Sequence, residues 1–153
     1  MFKGLITASL TAALLAGSAI SVAAQDFTIR ATANSNENDE DYDGLVVFKN
    51  YVEAASNGAI AVEMFIGTQL CSNGTECMQS VADGTVDVYV STSGGTSGIF
   101  PFVQVLDLPY LMADDRVAEA ALSNGSPFIR TMQDMVAETS GAAIRLMTAG
   151  KTG

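Results

Sequence analysis

The run VDVYV, residues 86–90, followed at once by STSGGTSG, residues 91–98, constrains the fold more than any other part of the chain. Val86, Val88 and Val90 alternate with Asp87 and Tyr89, which is the two-residue period of a β-strand. The pattern stops where small hydroxyls and glycines crowd together. In an open α/β sheet, ligands bind just outside the carboxyl ends of the strands. Ser91, Thr92 and Ser93 are therefore candidate ligand contacts. An apolar run containing Pro101 and Pro109 follows, through Val105-Leu106-Asp107-Leu108-Pro109-Tyr110-Leu111.

The remaining periodicities surround that strand with helices and further strands. Phe27, Ile29 and Ala31 alternate with polar residues and predict a first strand. Leu45, Phe48, Val52 and Ala55 predict a helix over 42–57, with Asp39, Asp41 and Asp43 at its positive end and Asn57-Gly58 as its stop. Ile60, Val62 and Met64 predict a second strand, and residues 76–83 a short helix closed by Gly84. Asp114-Asp115 opens a helix through Leu122, and Ser126-Pro127 opens another, whose apolar face is Phe128, Ile129, Met132, Met135 and Val136. Ala142–Met147 reads as a fourth strand. The order β-α-β-α-β-α-α-β predicts an α/β fold with helices packed on a parallel sheet.

Composition excludes several function classes. The net charge of −10, with seven Lys and Arg in 153 residues, leaves no basic surface for nucleic acid. There is no His, which removes the commonest general base and metal ligand. No Ser sits in a G-x-S-x-G elbow. Residues 1–24 read as a secretory signal peptide: Lys3, an apolar stretch from Leu5 to Val22, then Val22-Ala23-Ala24 before Gln25. Thr7, Ser9, Thr11, Gly17, Ser18 and Ser21 dilute that stretch below the roughly 20 predominantly apolar residues of a membrane span, so the mature chain is expected to be exported and not membrane-spanning.

Export makes Cys71 and Cys77 readable as a disulfide closing a small loop at the Asn73-Gly74 turn, contributing roughly 2 kcal/mol by loop closure. Two thiolates without His are a poor start for a zinc site, and no metal or cofactor is expected. Asp39-x-Asp41-x-Asp43-Gly44 matches the opening of a calcium loop, but Asn50 stands where the bidentate Glu belongs. An acidic helix start is the preferred reading. Residues 94–98 suggest either an anion cradle of loop amides or an ordinary turn; the Lys of a P-loop is missing. Asn73-Gly74-Thr75 and Asn124-Gly125-Ser126 fit the glycosylation sequon, but Asn-Gly is also a common turn dipeptide, and turns are the preferred reading.

Three blocks carry a family resemblance: Phe65-Ile66-Gly67-Thr68-Gln69-Leu70, Val81-Ala82-Asp83-Gly84-Thr85-Val86-Asp87, and Pro101 with Val105–Leu111. In order and spacing, residues 25–150 resemble the N-terminal half of the DctP-type solute-binding receptors of TRAP (tripartite ATP-independent periplasmic) transporters. The resemblance implies a two-lobed, type II-like periplasmic binding fold. Residues 25–153 would form its N-terminal lobe, truncated before the second lobe, and the arginine that holds the ligand carboxylate would lie beyond Gly153. It implies a periplasmic receptor, not an enzyme, that captures a small organic acid and delivers it to membrane permease subunits. By position it adds Asn34, Thr75 and Glu76 to Ser91, Thr92 and Ser93 as ligand contacts. The Cys71–Cys77 loop departs from the family's Gly-rich linker. The competing expectation is a secreted, hydrolase-like enzyme whose site is incomplete in these residues.

Overall fold

The computed structural model describes residues 26–150, so the expected signal peptide at 1–24 lies outside the described residues. Three strands form one parallel sheet in the order β2-β1-β3: β1 (Phe27–Ala33), β2 (Ile60–Ile66) and β3 (Val88–Val90). Phe27 pairs with Ile60 and Ala33 with Ile66 on one side of β1, and Ala33 pairs with Val90 on the other. As the central strand, β1 is covered on both faces, and Ala31, Thr32 and Ala33 are wholly buried. The Thr32 hydroxyl donates to the Phe65 carbonyl at 2.8 Å, so this buried polar group is satisfied.

Parallel neighbours need crossover connections. Helix α1 (Glu40–Ala55) joins β1 to β2, and α2 (Gly74–Ala82) lies between β2 and β3. Side-chain parity assigns the layers. Ala31, Ala33, Val62, Val88 and Val90 pack against Leu45, Phe48 and Val52 of α1. Tyr89 has the opposite parity and packs into a second cluster with Met78, Val81, Phe100, Val103, Met132 and Val136. Ala55 carries the helical period of α1 but is exposed. Its C-terminus closes as expected: Asn57 and Gly58 adopt left-handed φ of 52° and 81°, and the Gly58 N–H bonds the Glu53 carbonyl.

One border of the sheet is sealed by side chains. Glu53 Oε1 accepts from the Val62 N–H at 3.0 Å, and Lys49 Nζ donates to the Val62 carbonyl at 2.6 Å while pairing with Glu53 at 2.7 Å. Ser56 Oγ takes the Ile60 N–H at 3.1 Å. These are the outward-facing groups of β2, which a bare edge strand would offer to any passing chain. The Lys49 hydrogen bond, followed by the Val62 N–H, holds the Glu53 carboxyl below the usual glutamate range. Folding therefore opposes its protonation. The stabilisation is present above the unfolded glutamate range and is lost as pH falls through the lower folded value. A carboxyl-carbon NMR titration is expected to place the Glu53 midpoint below that of a glutamate in an unstructured peptide, and an equal or higher midpoint would refute this.

After β3 the chain forms a one-turn helix α3 (Ser93–Thr96), a 3-10 helix (Pro101–Asp107), α4 (Asp115–Leu122) and α5 (Pro127–Thr139). Asp114 caps α4 by accepting from the Arg116 and Val117 N–H groups, and Ser126 caps α5 by accepting from Ile129, as the sequence predicts. Among the described residues no helix is long and apolar enough to cross a membrane.

The structure corrects four expectations. Ladder pairing in β3 begins at Val88 and not Val86, because Asp87 Oδ2 takes the Arg30 N–H at 2.8 Å, a bond a continuing strand would have supplied from its own carbonyl. Asn73-Gly74 is not a turn: Asn73 caps α2, its side chain accepting from the Glu76 N–H at 3.0 Å. The glycine-rich run is not a plain turn throughout: it opens as a helical turn and becomes a turn only from Ser97, and three of the amides that a cradle would use are spent inside it. Thr92 caps α3, and the N–H groups of Gly95, Thr96 and Ser97 bond to Thr92 and Ser93. Ala142–Met147 is not a strand. Its apolar pattern reports the burial of Ile144, while side chains hold its backbone: Ser140 Oγ accepts the Ile144 N–H, and Gln133 Nε2 donates to the Leu146 carbonyl.

Candidate ligand-binding wall

The carboxyl ends of the three strands bring a polar group together. Asn34 is the first residue after β1 and Ser91 the first after β3, and the strands end level because Ala33 pairs with Val90. The loop after β2 carries the expected Cys71–Cys77 disulfide, with its Cα atoms 5.2 Å apart and both sulfurs buried. It is laid against Asn34. The Asn34 Nδ2 donates to the Cys71 carbonyl at 3.3 Å, and Cys77 Sγ lies 3.3 Å from Asn34 Oδ1. Tyr89 donates its hydroxyl to the same Oδ1 at 2.5 Å.

Tyr89 was not among the residues that sequence reasoning selected, although it sits at the centre of the group. Its signal was present in the strand pattern: a polar-tipped aromatic, opposite in parity to Val88 and Val90, one residue before the strand ends. Burial pushes its hydroxyl pKa up. The Ser91 hydroxyl partly offsets that rise, and the negative charge of Asp41 adds to it. Asp41, near the start of α1, is itself raised by burial and then by the neighbouring charges of Asp39 and Glu40. Ser35, beside Asn34, holds a buried Oγ with no hydrogen-bond partner among the described residues.

The other expected contacts divide. Ser91 Oγ donates to the Thr92 carbonyl at 3.1 Å and stays partly exposed. Thr92 is exposed, its oxygen accepting from Gly95 N–H at 3.2 Å. Thr75 is exposed at the start of α2, close enough to α3 that a Cβ on Gly98 would sit 2.7 Å from its Oγ1. Two residues are turned toward protein partners. Ser93 donates to the Asp107 carboxylate. The Glu76 carboxylate accepts from the Ser72 hydroxyl at 2.6 Å and its N–H at 2.9 Å, and those bonds lower its pKa. Close backbone approach makes the wall continuous: a Cβ added at Gly74 of α2 would run into the carbonyl of Gly95 in α3. Among the described residues, no group of three or more His, Cys, Asp or Glu is placed to hold a metal ion.

A parallel three-stranded α/β layer with a polar wall at its strand ends is one lobe of a ligand-binding α/β fold. Residues 31–152 match the family model of the bacterial extracellular solute-binding proteins, family 7 (DctP), and the chain belongs to that family. It is 24% identical over 142 residues to the 2,3-diketo-L-gulonate-binding periplasmic protein YiaO of Escherichia coli (strain K12), covering 93% of this chain and 41% of that protein. Its fold matches a TRAP periplasmic solute-binding protein of Sulfurospirillum deleyianum solved with bound succinate, at a TM-score of 0.63 and 22% identity over 74% of this chain and 36% of that one. A second match, from a Sulfitobacter species with bound β-D-galacturonate, has a TM-score of 0.63 and 19% identity over 73% of this chain and 36% of the other. The chain thus spans well under half the length of these relatives.

Proposed function

We propose that residues 25–153 are the first lobe of an exported TRAP-type receptor, which captures a small organic acid in the periplasm and passes it to membrane permease subunits. Residues 1–24 would act as its signal peptide. The observation that carries this reading is the cluster of Asn34, Tyr89 and Ser91 at the carboxyl ends of adjacent parallel strands. The family match supports it, and so do the acids bound by the structural relatives named above. The rest of the receptor would supply the opposing wall and the arginine that pairs with the ligand carboxylate. Nothing favours the secreted-enzyme reading: Ser91 donates to a main-chain carbonyl, and the chain has no His to activate a hydroxyl.

The test is calorimetric titration of the full-length receptor with a panel of organic acids. Asn34→Ala removes the side chain that links β1, the disulfide loop and Tyr89. Both it and Thr92→Ala are expected to weaken binding about tenfold, the size of one lost ligand hydrogen bond of about 1.4 kcal/mol. Unchanged affinity in both variants would remove this wall from the site. Turnover of an acid in place of binding would favour the enzyme.

A further inference from the structure

We infer that the centre of this wall accepts hydrogen bonds from the ligand, and so recognises the hydroxyl groups of a hydroxy acid and not its carboxylate. The inference rests on the receptor reading above and adds the ligand class.

The directions of the hydrogen bonds follow from which atoms can only accept. The Cys71 carbonyl has no proton, so the Asn34 amide must turn its NH2 toward it. That leaves Asn34 Oδ1 facing Tyr89. Oδ1 can only accept, so the single phenolic proton of Tyr89 goes to it. What Tyr89 Oη has left is lone-pair capacity. The Ser93 proton is taken in the same way by the Asp107 carboxylate. The Ser91 proton is shared between the Thr92 carbonyl at 3.1 Å and Tyr89 Oη, where it fills one of those lone pairs and leaves the other for a ligand. The disulfide has no proton to offer. Asp41, whose charge is felt at Tyr89, is a pure acceptor when ionised. No Lys or Arg among the described residues makes a hydrogen bond or ion pair to Asn34, Tyr89, Ser91 or Asp41. Thr92 and Thr75 keep hydroxyl protons with no acceptor among the described residues, but they stand exposed at the rim. The Ser35 hydroxyl and the second Asn34 amide proton also lack an acceptor there, the Ser35 oxygen being buried, so the acceptor character belongs to Tyr89 Oη and Asp41.

A carboxylate laid against Tyr89 Oη would meet lone pairs and the like charge of Asp41. A ligand hydroxyl would donate into the same lone pairs. A site built to pair with hydroxyls rejects the analogue lacking them more strongly than an apolar pocket rejects an added hydroxyl, because its polar groups are then left unpaired.

The experiment titrates the full-length receptor with acids matched in skeleton and charge: butanedioate against 2,3-dihydroxybutanedioate, and hexanoate against its pentahydroxy analogue. The hydroxylated member of the pair that fits is expected to bind at least tenfold more tightly. Tyr89→Phe should bring that ratio to within about threefold by weakening only the hydroxylated acid. Asp41→Asn, which introduces an amide donor and removes the charge, should raise affinity for the unhydroxylated acid. Unhydroxylated acids binding as tightly as their partners would overturn the inference and leave the receptor reading standing. A preference that persists in both variants would overturn its assignment to this wall. Failure of every acid to bind would overturn the receptor reading and this inference together.

Discussion

Replacing Phe100 by Ala is expected to destabilise the chain by about 3–5 kcal/mol, the range for truncating a buried aromatic. Phe100 is the largest fully buried side chain among the described residues, at 2% exposure. It belongs to one core cluster with Met78 of α2, Val103 of the 3-10 helix, and Met132 and Val136 of α5, so it sits in the core where three helical elements meet. Phe102 stands beside it with ring centroids 5.8 Å apart and planes tilted by 50°. Its main chain is also anchored, the N–H bonding the Thr96 carbonyl at 2.9 Å. The backbone cannot collapse into the space left by Ala without breaking that turn, so the cavity term persists. Against a total stability of order 5–15 kcal/mol for a domain, the loss is a large fraction. Denaturant melts of wild type, Phe100→Ala and Phe100→Leu measure it. Leu keeps most of the volume and should lose less than half as much, whereas a loss below about 1 kcal/mol for Ala would show that this ring is not central to the core.

Gly74→Ala is expected to weaken both folding and ligand binding, although helix propensity argues the other way. Ala in a helix is favoured over Gly by about 1 kcal/mol. At position 74, however, the new Cβ would strike the carbonyl oxygen, carbonyl carbon and Cα of Gly95. All three are backbone atoms, so no side-chain rotation relieves the contact. Either α2 or α3 must move. Overpacking of this kind costs about 1–3 kcal/mol, which cancels or exceeds the propensity gain. The displacement falls on α2, which carries Thr75, and on α3, which Thr92 caps, so affinity should drop by tenfold or more even where the melt changes little. Gly44 provides the contrast. It lies within α1 with nothing within 4 Å of an added Cβ, and Gly44→Ala should stabilise by up to about 1 kcal/mol and leave binding alone. Equal behaviour of the two variants would refute the close-approach argument.

Much of the framework was legible because its signals are local. Asp114 and Ser126-Pro127 mark helix starts by the chemistry of capping, and both do so in the structure. Leu45, Phe48 and Val52 follow a helical period because one face of α1 covers the sheet. Periodicity reports burial, however, and not the partner of a backbone. Residues 142–147 alternate like a strand because Ile144 is buried, yet the groups that satisfy its main chain are the side chains of Ser140 and Gln133. The direction in which a polar side chain is used was equally illegible. Ser93 and Glu76 look like ligand contacts in sequence; the structure adds that the Ser93 proton goes to Asp107, 14 positions away, and that one Glu76 oxygen is held by Ser72, four positions before it. Tyr89 was hidden for a related reason: its spacing explains its place in the strand, while its importance depends on Asn34, 55 positions away.

The bonds from Lys49, Glu53 and Ser56 to the outer flank of β2 give the sheet a direction of growth. The Ile60 N–H and both main-chain groups of Val62 are already taken, so another strand that tried to zip on there would first have to evict three side chains. Among the described residues the opposite flank, beside β3, has no such seal at Tyr89. A strand added to this sheet would therefore meet less obstruction on the β3 side, which is also the side that carries Ser91 and Thr92. The scaffold is thus polar: its open border is the one next to the wall, and its guarded border is the far one.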